Sequence, residues 1–347
     1  MTDISYNQVP KTQNGCAIML QHTPPPLTHT DHITNMAHAL KTAEKSPHPT
    51  HKVGALLSLT AQELHHSIAC YNDWPETLAR HIGKANKLGN ASNTLHAEIA
   101  TLCKAQIATH GASLYLTNLP CPNCTKALSE AGIADIYFDS NAYNTPLGLK
   151  MRTYFEQASK LILKQAGKGL HEINLDHNTI RTLLRPAPFK TDTQKTLKAQ
   201  ISRATQEIFS KHFENARAHF QNDPAPFTAT IAKDKQNKTH YFLAAQTCYP
   251  AGLEKRDIEH IHTIQDKYEA FHQPFNRLLS HCAFHGLRIE KQYLRTTQIP
   301  TAREFVNMIG YSIRTITIEN KEKYRDASCL EAYRQLKETG TKIIEIL

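Results

Sequence analysis

The chain has 347 residues, 40% hydrophobic and 20% charged, which is enough apolar material for packed cores and excludes a disordered tail protein. Forty basic against thirty-one acidic side chains leave a net charge of +9, and eight cysteines are too sparse for a disulfide scaffold. Its apolar runs fall short of the roughly 18 residues of a membrane helix and the opening Met1 to Asn7 lacks the pattern of a signal peptide, so the expectation is a cytoplasmic protein with no membrane partner and a bias toward anionic ligands.

At about 150 residues per domain the length predicts two domains. Residues 1–30 are polar and Pro-rich, with Thr23-Pro24-Pro25-Pro26, and read as a lead-in. A helix is expected from His32 to Lys45, with Ile33, Met36, Ala37 and Leu40 on one face. Strands follow at 53–59 and 64–70, a helix at 95–109, a strand at 113–117 and a helix at 122–131. A strand at 135–138, a helix at 151–164 and a strand at 170–175 complete the set. This order predicts a sheet covered by helices on both faces. Arg185-Pro186-Ala187-Pro188-Phe189 reads as a linker, giving a first domain at 31–185 and a second at 186–347.

The same order of elements returns past the linker. A long helix is expected at 193–220, strands at 227–232 and 241–247, a helix at 259–284 and a closing strand at 342–347. Tyr293-Leu294, Pro300 and Gly310 match Tyr115-Leu116, Pro122 and Gly132 at a spacing of 178, which suggests a tandem duplicate. At that spacing Cys121 falls on Ile299 and Cys124 on Ala302, and Phe271-His272-Gln273-Pro274 stands where the first half has His96-Ala97-Glu98. The second half is therefore expected to lack a metal. From residue 186 on it carries 24 basic and 18 acidic side chains, either a solvated face or a grip for substrate or nucleic acid.

The chemistry concentrates in Thr94-Leu95-His96-Ala97-Glu98 and Pro120-Cys121-Pro122-Asn123-Cys124. Cys121 and Cys124 stand at i and i+3 where a helix begins, so both sulfurs point one way and the positive helix end favours thiolates. His96 opens another helix. Two thiolates and one imidazole suit Zn²⁺, and three protein ligands leave a fourth position for water, as in catalytic sites. Glu98, two residues past His96, is placed to shuttle a proton to and from that water. The other cysteines (Cys16, Cys70, Cys103, Cys248, Cys282, Cys329) lack ligand spacing and read as small buried residues.

These two segments match the H-x-E and P-C-x-x-C signature of zinc nucleobase deaminases. From Asn35-Met36-Ala37-His38 to Tyr137 the chain resembles the cytidine deaminase superfamily, most closely its CMP/dCMP-type branch. Lys52-Val53-Gly54-Ala55 and Tyr71-Asn72-Asp73-Trp74-Pro75 carry that resemblance too. It implies a three-layer α-β-α fold on a five-stranded mixed sheet, with His96, Cys121 and Cys124 on Zn²⁺ and Glu98 catalytic. It also implies substrate contacts from Asn72, Ala97 and Pro120. The implied activity is hydrolytic deamination of a cytosine nucleotide or nucleoside by zinc-activated hydroxide, releasing ammonia. The alternative substrate is a base in RNA or DNA, gripped by the basic C-terminal half, and a non-enzymatic zinc-stabilised binding module is a third reading. The second half would pair with the first as a stand-in for the partner subunit of an oligomer, or the chain would form a homo-oligomer.

Overall fold

The computed structural model describes residues 27–61, 64–105, 107–188, 196–234, 238–260 and 270–346. Residues 1–26 of the lead-in, Cys16 among them, and Phe189 of the expected linker lie outside the described residues.

Helix α1 (His29–Ala43) starts at a capping box between Thr28 and Asp31, and lays Met36 and Ala39 on the sheet. Strands β1 (Gly54–Ala61) and β2 (Leu64–Tyr71) form a hairpin. A long loop then carries α2 (Glu76–His81) and the small hairpin of β3 (Lys87–Leu88) and β4 (Ala91–Ser92). The half continues with α3 (Ala97–Lys104), β5 (Ser113–Leu116), α4 (Pro122–Glu130), β6 (Asp135–Asp139), α5 (Pro146–Tyr154), α6 (Glu156–Gln165), β7 (Gly169–Asn174) and β8 (Thr179–Leu184). The sheet order is β2-β1-β5-β6-β7-β8. Strand β1 runs antiparallel to β2 and β5, while β5, β6 and β7 are mutually parallel.

The second half contains β9 (Thr196–Ile201), α7 (Gln206–His219), β10 (Phe227–Asp234), β11 (His240–Gln246), α8 (Pro274–Phe284), β12 (Leu287–Thr296), α9 (Ala302–Gly310), β13 (Thr315–Ile318), α10 (Ala327–Lys337) and β14 (Lys342–Glu345). Its sheet order is β14-β13-β12-β10-β11-β9. The run β11-β10-β12-β13-β14 repeats the order and strand directions of β2-β1-β5-β6-β7.

Among the described residues each of the two large sheets has six strands rather than the expected five. The extra strand lies at opposite ends: β8 beside β7, and β9 beside β11. The hairpin to β8 turns through Asn178, held at φ 50°, a left-handed conformation that Asn tolerates well. The helix expected at 193–220 is in fact β9 followed by α7. Leu197, Ala199 and Ile201 turn inward while Lys198 and Gln200 are exposed, a period-2 face that outweighs the helical reading, and Thr205 caps the true helix start. The helix expected at 151–164 is two, α5 and α6, meeting at Phe155. Of the helix expected at 259–284, residues 261–269 lie outside the described residues; α8 begins at Pro274, since proline suits the first helical turn, where no N–H is needed.

The spacing between the halves also differs from the expected 178. Thr117 N–H donates to Gly54 O and Thr297 N–H to Phe227 O, both at 3.1 Å. Thr117 thus corresponds to Thr297, an offset of 180, and α4 and α9 follow suit with N-caps at Cys121 and Thr301. The counterparts of Cys121 and Cys124 are therefore Thr301 and Glu304, not Ile299 and Ala302. Neither pair can supply two thiolates.

One hydrophobic core runs through both halves. Ala97, Leu102 and Leu128 share it with Phe275, Leu279 and Phe305, as α3 and α4 pack on α8 and α9. Polar ties cross the same seam. Lys126 Nζ donates to Phe271 O at 2.8 Å, and Arg277 Nε donates to Glu130 Oε2 at 3.1 Å.

Candidate metal centre and cleft

His96 is the N-cap of α3 and Cys121 the N-cap of α4, both with extended backbone, and Cys124 sits at N3 of α4. Neither N-cap side chain bonds to its own helix, so both are free to turn toward one point. His96 Nδ1 lies 3.3 Å from Cys124 Sγ and 3.7 Å from Cys121 Sγ, and the three donor atoms lie within 4.8 Å of one another. Donors at ~2.0 and ~2.3 Å from a tetrahedral zinc would be spaced about 3.5 Å apart, so this set fits Zn²⁺. Among the described residues it is the only such group of three or more potential ligands.

The two thiols are pushed in opposite directions. A hydrogen bond from Cys124 and the neighbouring His96 hold the Cys121 thiol well below the usual range, against its burial. Burial pushes the Cys124 thiol well above it. Glu98 is 5% exposed, and burial raises its carboxyl above the ordinary carboxylate range. It stands at N2 of α3, next to the donors in the same cleft.

The cleft holds about 220 Å³ and is lined by Glu98, Ala97, Asn72, Ser92, Thr94 and Asn118 among others. Of the expected site residues, it brings together His96, Ala97, Glu98, Cys121 and Asn72. The Asn72 side chain already has partners: it donates to His51 O at 2.9 Å and accepts from Val53 N–H at 2.7 Å and Ser46 Oγ at 2.8 Å. Pro120 is buried, does not line the cleft, and its carbonyl takes the Ser159 hydroxyl at 2.8 Å. Arg80, Lys84 and Lys87 do not line the cleft either; Arg80 pairs with Glu76, and Lys84 covers Trp74.

Sequence reasoning missed part of the wall. His48 and His51 enter from the α1–β1 loop, and Leu147, Lys150, Met151 and Phe155 from α5 and its end. His48 stacks on Trp74 at 4.9 Å and 12°, which fixes its ring beside the mouth. No motif marks these positions. The parallel strand order alone carries α5 round to the cleft.

Residues 29–140 match the family model for the cytidine and deoxycytidylate deaminase zinc-binding region. The matched segment carries His96, Glu98, Cys121 and Cys124. ComE operon protein 2 of Bacillus subtilis (strain 168) is 27% identical over 90 residues, which cover 25% of this chain and 42% of that protein. The chain thus spans less than half the length of this curated relative. The dCMP deaminase of cyanophage S-TIM5 in apo form is 23% identical, covering 33% of this chain and 85% of that one, with a TM-score of 0.27. Its complex with dCMP and dUMP gives 19% identity, 40% and 94% coverage, and a TM-score of 0.28. A structure from work on A-to-I editing by tRNA:A34 deaminases is 26% identical over 32% of this chain and 77% of that one, with a TM-score of 0.21.

Proposed function

We propose that the first half is a zinc-dependent hydrolytic deaminase of a cytosine nucleotide or nucleoside, of the CMP/dCMP kind. The observation that carries this is the convergence of His96, Cys121 and Cys124 beside a cleft lined by His96, Cys121 and the buried Glu98. These three residues would hold the metal, which supplies Lewis-acid activation of water. Glu98 would do the proton work. Its buried carboxyl, raised in pKa, would take a proton from water and pass it to the ring nitrogen, then take a second from the added hydroxyl and pass it to the amino group that leaves as ammonia. The Ala97 N–H, at the first turn of α3, is one of the donors a helix leaves without an internal partner and would hold the ring. Asn72, tied to His51 and Val53, would hold the cleft's rim in shape against the sugar. The second half would serve as an intramolecular partner without a metal of its own.

The test is ammonia release from cytidine, deoxycytidine, CMP, dCMP and an adenosine-bearing RNA, by the native protein and by Glu98→Gln. Release from a cytosine nucleotide or nucleoside, with turnover lowered by about 10²–10⁴ in the variant, supports the proposal. Full activity in the variant, or release from none of the panel, overturns it. Preference for the RNA, with affinity falling steeply as salt rises, transfers the site to a nucleic-acid base.

A further inference from the structure

We infer that Arg303 of the second half is a positioning residue for the cleft of the first: its guanidinium fork holds the segment before His96 in place. Arg303 Nη1 donates to Thr94 O at 2.9 Å and Nη2 donates to Ser92 Oγ at 3.0 Å. Both acceptors belong to residues that line the cleft, and Thr94 is two residues from His96. The inference rests on the deaminase reading above for its kinetic consequence, though not for its geometry.

The loop from Trp74 to Thr94 is long and has little sheet of its own. Its ends are pinched together where Leu95 N–H donates to Asp73 O at 2.8 Å and Asp73 N–H to Leu95 O at 3.1 Å. Between those ends, much of its anchorage comes from the second half. Arg314 donates to the Thr77 hydroxyl, and Gln335 Oε1 accepts the Gly89 N–H at 2.8 Å. Gly89 approaches so closely that a Cβ there would lie 2.2 Å from Ser328 O. Leu95 in turn fills the space at Gly310, where a Cβ would meet it at 2.7 Å. Arg303 grips Thr94, two residues before His96.

A planar fork with two donors fixed in one plane can bridge a carbonyl and a hydroxyl at once; an ammonium cannot do so with the same geometry. The fork therefore fixes Ser92 relative to Thr94, and with them one wall of the cleft. A wall that is fixed before substrate arrives needs no ordering on binding, so its loss weakens binding more than turnover.

The test compares Arg303→Ala, Arg303→Lys and Ser92→Ala in the full chain. Three readouts are taken: KM and kcat for the best cytosine substrate, zinc content, and backbone hydrogen exchange. Arg303→Ala is expected to raise KM about tenfold with kcat within about threefold. Exchange at residues 88–95 should quicken, exchange in β1 and β5 should not, and zinc should stay bound. Arg303→Lys should resemble alanine, and Ser92→Ala should raise KM in the same direction by less. Unchanged KM and exchange in Arg303→Ala overturn the inference. So does full rescue by lysine, which would assign the role to charge, and so does joint loss of zinc and kcat, which would assign it to the metal. If Arg303→Ala does not fold, Ser92→Ala decides by the same KM and exchange criteria. If the native protein deaminates nothing, the deaminase reading fails while the exchange measurement still decides the bracing.

Discussion

The Glu304 carboxylate accepts the backbone N–H of Phe275 at 2.9 Å, so a side chain from α9 holds the N-terminus of α8. The same carboxylate takes the N–H and the hydroxyl of Thr301, each at 2.9 Å. By position in their helices, Phe275 corresponds to Glu98, Thr301 to Cys121 and Glu304 to Cys124. Where the first half brings metal donors to two helix N-termini, the second closes the same gap with one carboxylate. An anion suits that place because the free N–H groups and helix dipoles there are positive. The Glu304 carboxylate thus ties the N-termini of α8 and α9 together.

Glu304→Ala leaves the buried N–H groups of Phe275 and Thr301 without their acceptor. The expected cost is about 1–3 kcal/mol per orphaned group. Chemical denaturation measures it, and zinc content measured alongside should not change. A stability equal to that of the native protein would contradict this account of the second half.

One Zn²⁺ per chain is expected by metal analysis of the purified protein. His96→Ala and Cys124→Ala should each lose the metal and lower the thermal stability of the chain, because metal affinity is gained only by the folded state. Chelation of the native protein should reproduce the loss. A second equivalent of tightly held zinc would point to ligands outside His96, Cys121 and Cys124.

The seam between the halves should be sensitive to acid. Burial alone would raise the Glu130 carboxyl, but His272 and Arg277 outweigh it and hold the group at about 2, against an ordinary 4.5. A carboxyl depressed on folding adds stability that is complete above its unfolded pKa and is lost as pH falls through the folded one. The contribution of Glu130 should therefore fade between about pH 4.5 and 2. Glu130→Gln should be less stable at neutral pH, leaving Arg277 buried without its counter-charge, and should show a shallower decline across that window. Parallel declines in the two proteins would remove Glu130 as the cause.

Gly89→Ala should loosen the loop from the second half. Gly89 adopts φ 53°, and a Cβ would strike the Ser328 carbonyl, a backbone atom that cannot swing aside. The expected cost is about 1–3 kcal/mol, read from the unfolding midpoint. An unchanged midpoint would show that the loop relaxes without strain.

The first half was legible because its elements announce themselves locally. Thr28 and Asp31 cap α1, Pro122 opens α4, and short continuous apolar runs mark β1 and β5. The metal donors were legible for the same reason: His96, Cys121 and Cys124 are each the first or third residue of a turn whose start the sequence signals. The second half was harder. Its helix boundaries were overdrawn where β9 alternates beside a strongly helical segment, and its spacing to the first half slipped by two, from 178 to 180, because few identical residues anchor it.

The sequence by itself marked His96, Glu98, Cys121 and Cys124 and most of the strand and helix order of the first half. All of these depend on residue type and short-range spacing. Only the tertiary structure decided what closes the cleft: α5 bringing Lys150 and Phe155, the α1–β1 loop bringing His48 and His51, and Arg303 reaching across from α9. It also decided that Glu304 ties α8 to α9. Such contacts join residues that lie far apart in the chain, and they follow from how two sheets pack through α3, α4, α8 and α9. No local pattern encodes that packing.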